Sequence, residues 1–150
     1  MHRFDGVDDL EAAVGRHLGR SDWHRVTQLE IDLFADATGD HQWIHVDPQR
    51  AQDGPFGTTI AHGYLTLSLI PRLVGQVYTV QGVPMAVNYG SDKVRFPAPV
   101  PVGSRVRAGV ELLGVRRGPA GTYVTTRVTV ELEGSPKPAC VADVISLLGA

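Results

Sequence analysis

Residues 61–74 read AHGYLTLSLIPRLV and carry the clearest structural signal in the chain. Six of the ten residues from 65 to 74 are leucine, isoleucine or valine. A helix that is apolar on most of its sides is expected to be buried. Pro71 interrupts the run and should bend the helix or close its first part, because proline cannot donate a backbone hydrogen bond. The sequence therefore predicts a buried central helix that begins near Ala61.

The chain changes to the alternating pattern of β-strands after residues 82–84, which read GVP. Arginines at 105 and 107 alternate with apolar residues, and residues 123–130 are rich in β-branched side chains, as is typical of strands. Glycine and proline at 118–121 and at 134–136 mark turns between these runs. A buried helix followed by long antiparallel strands predicts an α+β fold in which the sheet wraps around the helix.

Two further helices are predicted before this central one. Thr27 and Glu30 match a capping box, and the helix that they start should end at Gly39. Asp47 and Pro48 match a second helix start, with the aspartate as the cap and the proline at the first helical position. The segment between the two helices is therefore predicted to be an irregular loop.

The bulk properties exclude several classes of protein. The chain has 150 residues and favours a single domain over 1–150, and its net charge of -2 does not suit a nucleic-acid binder. The one cysteine, Cys140, cannot form a disulfide framework. The amino terminus is acidic where a signal peptide would be apolar, so no signal peptide is predicted. No apolar run has the length that spans a bilayer, so no membrane span is predicted. We expect a cytoplasmic protein without nucleic-acid or membrane partners.

The loop between the predicted helices contains the strongest candidates for chemistry. Asp40 and His45 are close enough in sequence for a curled loop to direct both side chains to one point. A carboxylate and an imidazole together can hold, orient and deprotonate a water molecule. Gly63 lies at the predicted start of the central helix, where backbone N–H groups lack helical partners and can stabilise a developing oxyanion. These residues predict an acid/base loop beside an oxyanion hole, without naming a substrate.

A metal site is the weaker interpretation of the same loop. His41 and His45 have the spacing of two ligands on one helical face. Gly39 and Pro48 leave little room for such a helix, and no glutamate follows His41 as it does in zinc proteases. We therefore predict a site without a metal.

Four segments together resemble the MaoC-like dehydratases, the (R)-specific enoyl-CoA hydratase family. They are residues 34–40 (FADATGD), 44–48 (IHVDP), 60–63 (IAHG) and 93–100 (KVRFPAPV), followed by Gly103. The resemblance runs from about Val26 to the carboxyl end, and it is closest to the NodN-like branch. It implies a hot-dog fold, which is a long helix wrapped by a curved antiparallel sheet, normally paired as a homodimer.

The same resemblance implies the chemistry. Asp40 and His45 would activate the water, and the Gly63 amide would polarise the thioester carbonyl of an acyl-CoA. The expected reaction is the hydration of a trans-2-enoyl-CoA to an (R)-3-hydroxyacyl-CoA, with no cofactor. An acyl-thioesterase with the same fold and a non-catalytic acyl-thioester binding module remain as alternatives.

The neighbours of the catalytic candidates are predicted to contact the substrate, although other roles remain open. Gln42 and Trp43 stand where the family usually has Asn-Pro, and Gln42 retains an amide that can orient a neighbour. Phe56 and Tyr64 flank the site, where they either line an acyl tunnel or pack in the core. His62 precedes Gly63 and could shape the loop.

Basic residues on the strands also have two interpretations. Lys93 and Arg95, or Arg105 and Arg107, could bind the phosphates of coenzyme A. Solvated strand faces that discourage edge pairing explain them equally well.

Overall fold

The computed structural model describes residues 1–149. The helices are α1 (Val7–Ala12), α2 (Gln28–Thr38), α3 (Trp43–Val46), α4 (Pro48–Gln52), α5 (Gly63–Ser68) and α6 (Ile70–Val74). The strands are β1 (His2–Phe4), β2 (His17–Arg20), β3 (His24–Arg25), β4 (Tyr78–Val80), β5 (Ala86–Arg95), β6 (Arg105–Gly118), β7 (Gly121–Leu132) and β8 (Cys140–Leu148).

One curved antiparallel sheet carries the fold. Its strands run in the order β2-β6-β7-β8-β5, and β3 adds a short pairing to β6. The predicted turns join the three central strands, since β6 and β7 meet across a hairpin at Gly118 and Gly121. Side chains along β7 alternate between buried and half-buried, with Val128 and Val130 fully buried, because a strand places successive residues on opposite faces. Strands β1 and β4 form a separate parallel pair.

The central helical segment packs against this sheet and confirms the predicted α+β architecture. It begins at Gly63, two residues later than predicted, and divides at Leu69 into α5 and α6. Pro71 lies in the first turn of α6, where its missing N–H costs no helical hydrogen bond. Leu65 and Leu73 are buried in one apolar cluster with residues of β6, β7 and β8, so the helix and sheet share a core.

Helix α2 confirms part of the predicted capping box. The Thr27 hydroxyl accepts a hydrogen bond from the Glu30 amide at 3.2 Å. The Glu30 carboxylate does not reach back, which makes that half of the prediction wrong; it binds the His24 ring at 2.7 Å instead. The helix ends at Gly39, whose φ of 82° is left-handed, a conformation that glycine adopts without steric cost.

A second apolar cluster fills the other end of the sheet. Phe4, Leu10 and Val77 pack there against side chains of β6 and β7. The amino-terminal elements therefore cover this end of the sheet, where the last residue of α6, Val74, joins them. Across residues 1–149, none of the helices has the length and apolar character needed to cross a bilayer.

Candidate active site

The catalytic candidates lie between α2 and α4, in a segment that is more regular than predicted. Helix α3 occupies its second half, so the prediction of an irregular loop is wrong there. This single turn directs His45 inward, leaving the side chain 7% exposed. Asp47 ends the segment and caps α4 by accepting a hydrogen bond from the Arg50 amide at 3.1 Å, and Pro48 takes the first helical position as predicted.

His45 is held with one ring nitrogen free for chemistry. Its Nδ1 lies 2.7 Å from the Ile60 carbonyl oxygen, and a carbonyl oxygen only accepts hydrogen bonds. Nδ1 must therefore carry the proton, which leaves the lone pair of the neutral ring on Nε2. Burial lowers the pKa of His45 below its usual 6.5, although the Ile60 bond opposes the shift. The ring is therefore neutral at neutral pH and can accept a proton.

Asp40 presents its carboxylate from the exposed side of the site. One carboxylate oxygen accepts a weak hydrogen bond from the backbone N–H of Gln42 at 3.3 Å. A carboxylate oxygen of Asp40 and one nitrogen each from His45 and His62 all lie within 4.8 Å of one another. The structure thus brings together Asp40 and His45, and adds a buried histidine to them. A water molecule between the carboxylate and the His45 ring would meet two proton acceptors.

These three side chains are poorly arranged for a metal ion. The rings of His45 and His62 are stacked, with centroids 3.9 Å apart and planes inclined by 24°. The lone pair of an imidazole nitrogen lies in its ring plane, so nearly parallel stacked rings do not direct their lone pairs at one point. Tetrahedral zinc requires such convergence. The geometry favours water over a metal, and the metal-free site stays a prediction.

Gly63 lies beside the histidines as the first residue of α5. Its N–H has no acceptor within the helix, as is general for the first turn. A Cβ built on Gly63 would lie 3.1 Å from the ring of Phe96, so a side chain there would displace that ring. Only glycine lets Phe96 lie this close to the backbone. Phe96 falls within a segment of the family resemblance but was not predicted as a site residue.

The residues predicted to contact substrate occupy different environments. Gln42 is exposed at the start of α3. Tyr64 is 69% exposed and meets Phe96 edge to face at 6.2 Å, while Phe56 is 44% exposed in the turn after α4. The core-packing interpretation is therefore wrong for both aromatic residues within this chain. His62, in contrast, is only 2% exposed. Substrate contact stays a prediction for all four.

A partly buried polar network supports His45, and the sequence did not predict it. The Gln28 side-chain amide donates to the backbone carbonyl of His45 at 2.8 Å and to Asp32 at 2.9 Å. Its oxygen accepts from the hydroxyl of Thr59 at 2.6 Å, and Thr59 is 1% exposed. Gln28 thus connects α2, α3 and the segment that carries the Ile60 carbonyl. A glutamine in the first turn of a helix gives no sequence signal of this role.

The two pairs of basic strand residues occupy different environments. Arg105 and Arg107 bind Glu133 and Glu131, which favours the structural interpretation for that pair. Lys93 has a φ of 55° at a β-bulge, so it and Arg95 do not follow the simple strand alternation that was predicted.

Comparisons with known proteins show the family of the chain. The family model "MaoC like domain" matches residues 9–133. The chain is 64% identical to a 3-hydroxyacyl-thioester dehydratase Z of Mycobacterium tuberculosis, over 97% of each chain. It is 47% identical to the nodulation protein N of Rhizobium leguminosarum bv. viciae, over 99% of this chain and 93% of that protein.

A solved structure, the (R)-hydratase from A. caviae involved in PHA biosynthesis, superimposes with a TM-score of 0.74 at 28% identity, and covers 90% of this chain and 96% of that one. The hot-dog fold implied by the resemblance is thereby confirmed. The chain belongs to the MaoC-like dehydratase family and is an enzyme of the hydratase or dehydratase type.

Proposed function

We propose that the enzyme interconverts trans-2-enoyl-CoA and (R)-3-hydroxyacyl-CoA, with Asp40 and His45 activating the water. One observation carries the proposal: a carboxylate oxygen of Asp40 and a ring nitrogen of the buried His45 lie within 4.8 Å of each other, together with a ring nitrogen of His62, the residue before Gly63. Relatives named for an acyl-thioester dehydratase and for an (R)-hydratase support the class of reaction and substrate.

The reaction follows from the directions in which these groups donate and accept. Water bound between Asp40 and His45 loses a proton to this pair as its oxygen bonds to C3 of the enoyl group. The electron pair of the double bond moves toward the thioester, and the Gly63 N–H stabilises the negative charge on the carbonyl oxygen. A proton returned to C2 completes the addition of one water, and the reverse sequence removes it. No cofactor takes part in this scheme.

The first test is the loss of enoyl-thioester ultraviolet absorbance with crotonyl-CoA and longer trans-2-enoyl-CoAs. We expect loss with the wild type and a rate reduced roughly 100- to 10,000-fold in Asp40→Asn and His45→Gln, the usual contribution of acid/base groups. His41→Gln is the matched control, because His41 is exposed in the same segment and its ring bonds to Asp36, away from the proposed catalytic pair. An undiminished rate in Asp40→Asn would overturn the proposed role of the carboxylate.

The same assay separates the alternatives. Release of free thiol, detected with a thiol-reactive dye, would indicate the thioesterase. Saturable binding of crotonyl-CoA without any absorbance change would indicate the binding module.

We also propose that the enzyme is a homodimer that uses the outer edge of β5. Within residues 1–149, β5 pairs only with β8, so its other edge is open. Val87 and Tyr89 on this strand are 43% and 61% exposed, and an open edge with apolar side chains is a site for strand pairing. Light scattering should give a dimer mass for the wild type and a smaller mass for Val87→Lys, with Val87→Thr as control. A wild-type monomer would exclude this assembly.

A further inference from the structure

We infer that His62 is a positioning residue that joins the two halves of the site, holding Asp40 and His45 in place relative to the Gly63 amide. This inference rests on the proposed function. His62 lies on the segment before α5, whereas Asp40 and His45 lie between α2 and α4. Its ring reaches across to both of them, and its own backbone is bonded directly to Gly63.

The first contact fixes the main chain of Asp40. The Nε2 atom of His62 lies 3.0 Å from the Asp40 backbone carbonyl oxygen, so this nitrogen must donate. Apart from that bond, the main chain at Asp40 is held by its own amide, which donates to the Thr38 hydroxyl at 3.4 Å, a long distance for a hydrogen bond. The His62 bond is therefore the better tether for an exposed residue whose carboxylate must meet the water.

The second contact limits the orientation of the His45 ring. His62 stacks on it with centroids 3.9 Å apart, while the Ile60 carbonyl holds its Nδ1 at 2.7 Å. The ring of Phe34 in α2 packs on the ring of His62, with centroids 4.8 Å apart. Phe34 therefore helps to hold the His62 ring against His45. A residue here must both donate to a carbonyl and present a flat ring of this size. Histidine meets both demands. An amide side chain can donate the hydrogen bond but has no ring, and phenylalanine has the ring but cannot donate.

The remaining nitrogen of His62 points to a role beyond packing. Nδ1 is buried and, within residues 1–149, no hydrogen-bond partner is found for it. Native proteins rarely leave a buried polar atom unpaired. Ordinary packing at this position would be served by a residue without that atom. Asp40 and His62 are the titratable groups that face His45, and they act in opposite directions on its pKa, which Asp40 raises and His62 lowers.

The kinetic test compares two variants at this position. His62→Phe retains an aromatic ring for stacking and loses the bond to Asp40, while His62→Gln retains a donor and loses the ring. We expect kcat to fall about tenfold to 100-fold in His62→Phe with little change in KM, as for small misplacements of reacting groups. The acid limb of its pH profile should move slightly to higher pH, because burial, the largest cause of the lowered pKa of His45, is kept while the smaller contribution of His62 in the same direction is lost. His62→Gln should recover part of kcat.

The control for the kinetic test is a substitution of the exposed His41. His41→Gln should keep the wild-type kcat, KM and pH profile. Wild-type values of all three quantities in a folded His62→Phe would overturn the inference. A lower kcat with an unmoved acid limb would also overturn it, since general disorder of the site would produce that result.

A second measurement requires neither a variant nor an active enzyme. Nitrogen-15 NMR of the histidine rings in the wild type distinguishes the two tautomers. We expect the proton on Nε2 in His62 and on Nδ1 in His45, as their carbonyl partners require. A His62 protonated on Nδ1 alone would overturn the inference. Because this readout does not depend on turnover, failure of the hydratase assay and failure of the His62 role are distinguishable.

Discussion

The two sides of the active site differ in how they are held. The inner side consists of His45 and His62, which are 7% and 2% exposed and are both bonded to backbone carbonyl oxygens. The outer side consists of Asp40, Gln42 and Tyr64, all exposed. In the proposed mechanism, buried groups bonded to the main chain would fix the geometry of the reaction, whereas exposed groups could change without disturbing the core. Substitutions on the two sides should therefore separate activity from stability.

The largest expected effect is the loss of activity in Asp40→Asn and His45→Gln. The two variants should differ in their free energy of unfolding. Both should lose turnover, but only His45→Gln should also lower the free energy of unfolding. Its amide nitrogen lies one bond further from the backbone than the His45 Nδ1, so the donor no longer matches the position of the Ile60 carbonyl, and an unmatched buried hydrogen bond costs about 1–3 kcal/mol. Urea unfolding of the two variants beside the wild type measures the difference. Equal destabilisation by both substitutions would contradict the distinction between the inner and outer sides.

Gly63→Ala should give the next largest loss of kcat. Gly63 lies between His62 of the inner side and Tyr64 of the outer side, so the substitution affects both. The added methyl group would lie 3.1 Å from the Phe96 ring and would shift either that ring or the amide. Removing one oxyanion donor costs roughly 100- to 1,000-fold in kcat, so a partial displacement should cost less. Phe96 is 41% exposed and has room to move.

The double variant Gly63→Ala with Phe96→Leu identifies the cause of that loss. Recovery of part of kcat would show that the collision with the ring displaces the amide. No recovery would mean that the methyl group itself blocks the thioester. Phe96→Leu alone serves as the control for the missing ring.

The sequence predicted the parts of this enzyme that depend on local chemistry. The end of α2 at Gly39, the cap at Asp47 and the interruption of the central helix by Pro71 each follow from one residue and its neighbours. Periodicity predicted the α+β class, and the residues of one loop predicted the candidate pair Asp40 and His45. The resemblance to a family added the hot-dog fold and the class of substrate.

The contacts that the sequence did not predict are long-range or involve the main chain. The carbonyl oxygen of Ile60 is a partner that any residue type could supply, so its bond to His45 leaves no trace in the sequence. The contact between Phe96 and Gly63 depends on where the segment after β5 lies relative to the start of α5. The single domain over 1–150 and the cytoplasmic location stay predictions.

Removal of the Gln28 network should have a smaller effect, confined to the inner side. Gln28→Leu leaves the Thr59 hydroxyl and the His45 carbonyl without their partner. We expect the unfolding free energy to fall by about 1–3 kcal/mol and kcat to fall several-fold, measured by urea unfolding and the absorbance assay. Thr59→Val is the matched variant, since it breaks only one of these bonds and should cost less. A larger loss of unfolding free energy and kcat from Thr59→Val than from Gln28→Leu would mean that Gln28 is not the main support of His45.

The smallest expected effect is a displacement of the pH profile. Burial, the largest cause, lowers the pKa of His45 below 6.5; His62 acts in the same direction, and the Ile60 bond and Asp40 oppose it. In the proposed mechanism, the neutral ring of His45 is the form that accepts a proton from water. Activity should therefore persist as pH falls to 6.5 and decline only as pH passes through the lowered value. An acid limb of kcat/KM at or above pH 6.5 would contradict this environment for His45.

The same shift makes a prediction about stability. Unfolded His45 has its ordinary pKa of 6.5, whereas the folded ring has a lower one. As pH falls below 6.5, the unfolded chain takes up a proton that the folded chain does not, so this histidine favours unfolding progressively until pH reaches the folded value. Above pH 6.5 the two states bind no proton there and the contribution vanishes. Urea unfolding of the wild type and of His45→Gln across this window isolates the effect. The stability of the wild type should fall more steeply with acid, and parallel curves would mean that His45 titrates normally in the fold.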